Sequence, residues 1–257
     1  MGGLLKEKST IILKGGTHVP FSPSYHYLAG VFTPLLKRCG IDILLTIESY
    51  GFYPKGGGKI KADIYPAKSI RPLNVKDRGN IVRLKGSSGV GNLPLSIAER
   101  QKSAMVEKLF SPIIPLNPPL LKGGEGGFEK YPIDIELLNV STPGQGTFIY
   151  LQSESEYAIA GFTSLGERGK RAEVVGEEAA TEFLTYYSTG AALDHHMADQ
   201  IVLYLSTCKE ESEFSTSCIT EHLITNLWVI RLFHAYRYSI EGEVGNLGVV
   251  RINTPLL

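Results

Sequence analysis

This 257-residue chain has no excess of positive or negative charge, its 26 Lys and Arg balancing 26 Asp and Glu. No overall field therefore draws it onto nucleic acid or an anionic membrane, and any nucleic-acid site must be a local patch. Cysteine is scarce: Cys39, Cys208 and Cys218 are widely spaced. They form neither a CxxC pair for zinc nor an even set for a disulfide framework, which points to a reducing cytoplasm. The N-terminal "MGGLLKEKSTIILKGGT" has no signal-peptide core, and no later run approaches the ~20 apolar residues of a membrane span. What remains is a cytoplasmic protein with no membrane partner, long enough to bury a substantial core.

Along the chain, "STIILKGG" reads as a strand ending in a tight turn. A helix follows, capped by Ser22 or Ser24, apolar at Tyr27, Val31, Leu35 and Leu36, kinked at Pro34 and stopped at Gly40. "IDILLTIESYGFYPKGGGKIKADIYPA" reads as two strands joined by a long glycine-rich hairpin turn. The polar stretch Arg71 to Asn80 marks a boundary. Beyond it the patterning predicts a strand at "NIVRLKG", a helix through "LSIAERQKSAMVEKLF", three short strands and a long helix across "AEVVGEEAATEFLTYYS". The proline- and glycine-rich segment 111–130 breaks every period and reads as an inserted loop. After Gly190 come two helical patterns, a strand near "EFSTS" between them, and two closing strands; this tail is expected to pack back on the first unit. Alternating strands and helices indicate an α/β chain with mixed sheets, divided as 1–77, an insert at 78–188, and 189–257.

Few residues carry a chemical signal. On a helix His196, Asp199 and Gln200 project together, while Met197, Ile201 and Leu205 can face the core. The triplet reads either as a wetted first turn or as a nucleotide site, with a carboxylate and an amide for hydrogen bonds and an imidazole for stacking. Thr220 is a candidate N-cap, which puts His222 in the first helical turn with Thr225 and Asn226 on its side. The positive helix end there attracts phosphate, so His222 reads either as an idle helix-end histidine or as a nucleophile beside phosphorus. "YPKGGGK" lacks the order of a Walker loop, and "SSGVGN" resembles GxGxxG only loosely. Arg168, Lys170 and Arg171 form a short basic cluster that reads as a solvated helix start or as an RNA-backbone contact.

Taken together and in order, "GGTHVPFSPSYHYL", "GFYPKGGG", "HMADQ" and "EHLITN" resemble the RNA 3′-terminal phosphate cyclase family, from about Ser9 to the C-terminus and excluding 111–130. The resemblance implies repeated βαβαββ-like units, similar to the C-terminal domain of translation initiation factor three, interrupted by a smaller α/β insert. It implies ATP-dependent conversion of an RNA 3′-phosphate end to a 2′,3′-cyclic phosphate, with ATP and Mg2+ or another divalent metal as cofactors. His222 corresponds to the histidine that takes AMP. His196, Met197, Ala198, Asp199 and Gln200 correspond to the ATP-binding helix motif. The family pattern also implies a segment ahead of "STIILKGG", here expected to be missing or separately encoded; the apolar surface left uncovered would then favour self-association. Two rival readings are a non-catalytic RNA-binding or ribosome-assembly-like member and an inactive gene fragment.

Overall fold

The computed structural model describes residues 7–111 and 133–253. The loop expected at 111–130 therefore lies, beyond Ser111, outside the described residues. The first sheet is built from β1 (Ser9–Gly15), β2 (Ile43–Ser49) and β3 (Gly58–Ile64), antiparallel in the order β1-β3-β2. Between β1 and β2 runs one broken helix: α1 (Tyr25–Tyr27), a π-helical turn (Leu28–Phe32) and α2 (Thr33–Arg38). The break is the kink expected from Pro34. Proline has no N–H to give and its ring crowds the carbonyl four residues back, so the ladder slips by one residue. The N–H of Thr33 reaches the Leu28 carbonyl instead, while the Thr33 hydroxyl donates to the Ala29 carbonyl at 3.3 Å. Ser24, not Ser22, is the cap, accepting from the Tyr27 N–H at 3.2 Å.

The segment Arg71 to Asn80, read as a boundary, contains a short strand, β4 (Asn74–Val75). Leu73 and Val75 are buried there, and the Leu73 N–H donates to the Ser212 hydroxyl. The periodicity of two residues is too short to read from sequence, so only the pairing reveals this strand. Next come β5 (Ile81–Gly91), α3 (Ser96–Phe110), β6 (Ile133–Asn139), β7 (Gly146–Ser155), β8 (Ile159–Leu165) and α4 (Ala172–Thr189). These strands form a separate sheet, β6-β5-β7-β8, with β5 and β6 parallel, under α3 and α4. "SSGVGN" is no phosphate loop; Ser87 to Gly91 are the second half of the central strand β5. A Cβ at Gly86 would collide with the Tyr150 carbonyl and one at Gly89 with the Phe148 ring, so close packing demands these glycines.

The chain ends with α5 (His195–Leu205), β9 (Ser212–Thr216), α6 (Glu221–Arg231), β10 (Arg237–Glu241) and β11 (Gly248–Asn253). The third sheet has the order β10-β11-β9-β4, with β4 parallel to β9. Apart from the insertion between β4 and α5, this is a complete βαβαββ unit. The first sheet repeats its latter part: strand, helix, two strands, with the last strand in the middle. One core joins them, bringing Tyr27, Val31 and Leu36 together with Met197, Ile201, Leu227 and Val250. Among the described residues no helix is long and apolar enough to cross a membrane.

The two sheets differ at one edge. β9 is flanked on both sides, whereas among the described residues β1 pairs only with β3 and leaves Ile11, Ile12 and Leu13 exposed. An apolar edge strand is a template for pairing with another chain. If the chain associates through this edge, Ile12→Lys should reduce concentration-dependent association in sedimentation velocity without lowering the melting temperature; a concentration-independent wild type, or an unchanged association constant in the variant, would exclude this edge.

Candidate active site

A cleft of about 1900 Å³ lies where the loop after β1, the β2–β3 connection, the start of α4 and the first turns of α5 and α6 converge. It exceeds the roughly 300–1,000 Å³ of an ordinary small-molecule pocket, and so has room for a nucleotide with a second substrate. His196, Asp199, Gln200 and His222 all line it. The two polar helix faces singled out in the sequence therefore share one cavity. Met197 and Ala198, grouped with them by the family motif, are fully buried in the core, so of these five residues His196, Asp199 and Gln200 face the cleft.

The link between the two helices is Asp199. Thr220 caps α6 by accepting from the Leu223 N–H at 2.9 Å, and its hydroxyl donates to Asp199 Oδ1 at 2.7 Å. Asn226, one turn along α6, donates from Nδ2 to the Asp199 carbonyl at 3.0 Å. His222 thus sits on a turn whose start is tied to α5 twice. Burial raises the Asp199 pKa, opposed by the Thr220 hydroxyl and the His196 and His222 imidazoles. Thr220→Val removes both the cap and the carboxylate's partner at constant shape. The expected loss is about 1–2 kcal/mol of stability, read from urea denaturation.

Three features were not legible in the sequence. Asp194 caps α5 through the Met197 N–H (2.9 Å) and accepts from the Tyr27 hydroxyl at 2.7 Å. Its Oδ2 is buried without a hydrogen-bond partner, and burial pushes its pKa up to about 6. The only sequence signal was an Asp directly before a helical pattern. Second, Glu182 on α4 approaches His196 Nε2 at 3.5 Å, and with His195 it brings one oxygen and two imidazole nitrogens within 4.8 Å of one another. Two imidazole nitrogens and one carboxylate oxygen fit a borderline ion such as Zn2+ better than Mg2+, which prefers oxygen. The Glu182 hydrogen bond is the main reason the His196 pKa is raised.

Third, the loop after β1 is held by a chain of imidazoles. The Gly51 N–H donates to the Thr17 hydroxyl (3.0 Å), Thr17 Oγ1 meets His18 Nδ1 (2.9 Å), and His18 Nε2 meets His26 Nδ1 (2.9 Å). Phe148 packs against both rings, with centroids 4.3 and 4.8 Å away. Burial and the neighbouring His26 hold the His18 pKa well below its ordinary value, and burial lowers that of His26 to about 4. Both rings are therefore neutral at pH 7, so one can donate while the other accepts. "YPKGGGK" is the expected long hairpin turn, its glycines required by φ of +62° at Gly56 and +77° at Gly57. Tyr53 and Lys55 from this turn nevertheless line the cleft, as do Arg168, Lys170 and Arg171.

Comparison with known proteins agrees with this arrangement. A family model described as RNA 3′-terminal phosphate cyclase matches residues 3–240. Proteins named RNA 3′-terminal phosphate cyclase are similar over nearly the whole chain. That of Methylococcus capsulatus is 36% identical over 97% of this chain and 65% of its own length. Those of Ignicoccus hospitalis and Sulfolobus acidocaldarius are 37% and 38% identical, each over 93% of this chain and over 65% and 66% of their own lengths. The chain thus spans about two thirds of these relatives. With the motifs that carried the resemblance gathered around one cleft and the match extending across both sheets and the insert, the chain belongs to the RNA 3′-terminal phosphate cyclase family.

Proposed function

We propose that this chain uses ATP to convert an RNA 3′-terminal phosphate into a 2′,3′-cyclic phosphate, with His222 carrying AMP between the two substrates. The observation that supports this best is the Asp199–Thr220 hydrogen bond, which fixes the His222 turn beside the polar face of α5 in one cleft. A histidine nitrogen attacks the α-phosphorus of ATP. An N–P bond forms, the bond to the bridging oxygen breaks, and pyrophosphate leaves with the electron pair. An oxygen of the RNA 3′-phosphate then displaces His222 from the same phosphorus. In the last step the neighbouring 2′-hydroxyl attacks the RNA phosphorus, loses its proton, and AMP departs.

The chain's own residues have distinct tasks in this scheme. Asp199 and Gln200 offer hydrogen bonds to nucleotide hydroxyl or base, and His196 offers a ring face. The free N–H groups at the start of α6 meet phosphate charge. A divalent ion neutralises phosphate charge when bound, and Glu182, His195 and His196 have the donor atoms to hold it. The test is incubation of the purified chain with α-labelled ATP and Mn2+ or Mg2+. Acid-labile label on the protein, discharged by RNA ending in a 3′-phosphate but not by RNA ending in a hydroxyl, is the expected result. Absence of label with both metals would rule the scheme out for this chain.

A further inference from the structure

The rim of the cleft carries an aromatic side chain that the fold does not use. Phe21 lines the cleft yet is fully exposed. Its backbone φ is +61°, in the left-handed region where a bulky L-residue is an outlier. Both flanks hold it there. Ser22 Oγ donates to the Val19 carbonyl at 3.3 Å, and Ser24 caps α1 while its hydroxyl meets that of Thr163 on β8 at 3.0 Å. An exposed ring on strained backbone stabilises nothing in the folded chain, and such strain concentrates at ligand sites. Tyr53, also largely exposed, is a second aromatic lining the cleft.

Charge separates the candidate ligands. Arg100 and Lys170 line the same cleft but are neutralised by Glu173 and Glu178. Lys55, Arg168 and Arg171 also line it and have no ion pair or hydrogen bond from their side chains among the described residues. Cations and exposed rings lining one cleft are the arrangement that holds single-stranded nucleic acid, with phosphates on the cations and bases on the rings. A mononucleotide would bury most of its surface, whereas a ring at the solvent edge suits a strand that must leave the cleft.

We infer that Phe21 is a stacking platform for a base near the 3′ end of a single-stranded RNA, whose backbone phosphates are drawn to Lys55, Arg168 and Arg171. This rests on the reading that the cleft accepts RNA. The probe is a short RNA ending in a 3′-phosphate with 2-aminopurine near that end, titrated with the full chain. Stacking quenches the fluorescence; Phe21→Ala is expected to remove the quench and weaken binding about 5- to 100-fold, and Phe21→Trp to restore both. Phe21→Gly should lose RNA in the same way while raising the melting temperature, because glycine accepts positive φ. A ring kept only for folding would give the opposite thermal shift. The ATP concentration giving half-maximal His222 labelling should stay unchanged in Phe21→Ala. Equal affinity and quench in wild type and Phe21→Ala would overturn the inference and leave the proposed reaction standing, as would a loss of ATP affinity with RNA affinity kept. No RNA binding by the wild-type chain would overturn the inference whatever the label shows; absence of label as well would overturn the proposed function.

Discussion

His222→Ala is expected to abolish acid-labile labelling from α-labelled ATP, a loss of roughly a thousandfold or more, since in the proposed reaction it removes the nucleophile and leaves only binding and positioning. The effect should appear without loss of stability. His222 is exposed, so truncation opens no cavity, and Thr220 still caps α6. The expected change in unfolding free energy is within about 0.5 kcal/mol, as for an ordinary surface position. The other two imidazoles that line the cleft have partners. His18 has both ring nitrogens engaged, by Thr17 and His26, and His196 faces Glu182. Label surviving in His222→Ala would move the nucleophile elsewhere; label lost together with the melting transition would say nothing about chemistry, and so both are measured on one preparation.

The second large effect is acid destabilisation through the His18–His26 pair. Burial depresses both pKa values, so between pH 6.5 and about 4 the unfolded chain binds protons that the folded chain refuses. Stability is therefore complete above pH 6.5 and is lost as pH falls towards 4. For His26 alone, a drop from 6.5 to about 4 corresponds to about 3 kcal/mol. His18 adds in the same direction. The groups around the pair are Tyr25, Tyr50, Tyr150 and Phe148, none of which carries charge in this window.

Elsewhere Asp194, pushed up to about 6, acts in the opposite sense, because its protonation in the folded chain favours folding below that pH. Wild type alone would thus blend opposing slopes. The decisive quantity is the difference between wild type and His26→Gln, whose amide can still meet His18 but does not titrate. In urea denaturation from pH 7 to pH 4, the stability of wild type relative to His26→Gln should fall by about 3 kcal/mol. A flat difference would mean that the pair admits protons without cost.

How much of this could be read from the chain is clear from particular residues. The Thr220 cap, the break at Pro34 and the shared face of His196, Asp199 and Gln200 follow from spacings of one to four residues, which backbone geometry imposes wherever the segment folds. The same spacing placed Met197 toward the core, although the motif had grouped it with the nucleotide contacts. β4 escaped because two residues show no period, and its evidence is a partner strand about 139 residues away.

By itself the sequence determined most element types, the Thr220 cap, the α/β character and the family, all of which rest on local periodicity or on ordered motifs. Tertiary structure alone decided that Asp194 meets Tyr27 across 167 residues, that His26 lies on His18, and that Glu182 faces the start of α5. It also decided that Phe21 is held out over the cleft in a conformation a bulky residue resists. These are consequences of which faces pack together, and a burial that shifts a pKa or strands a carboxylate oxygen exists only once distant segments have excluded water between them.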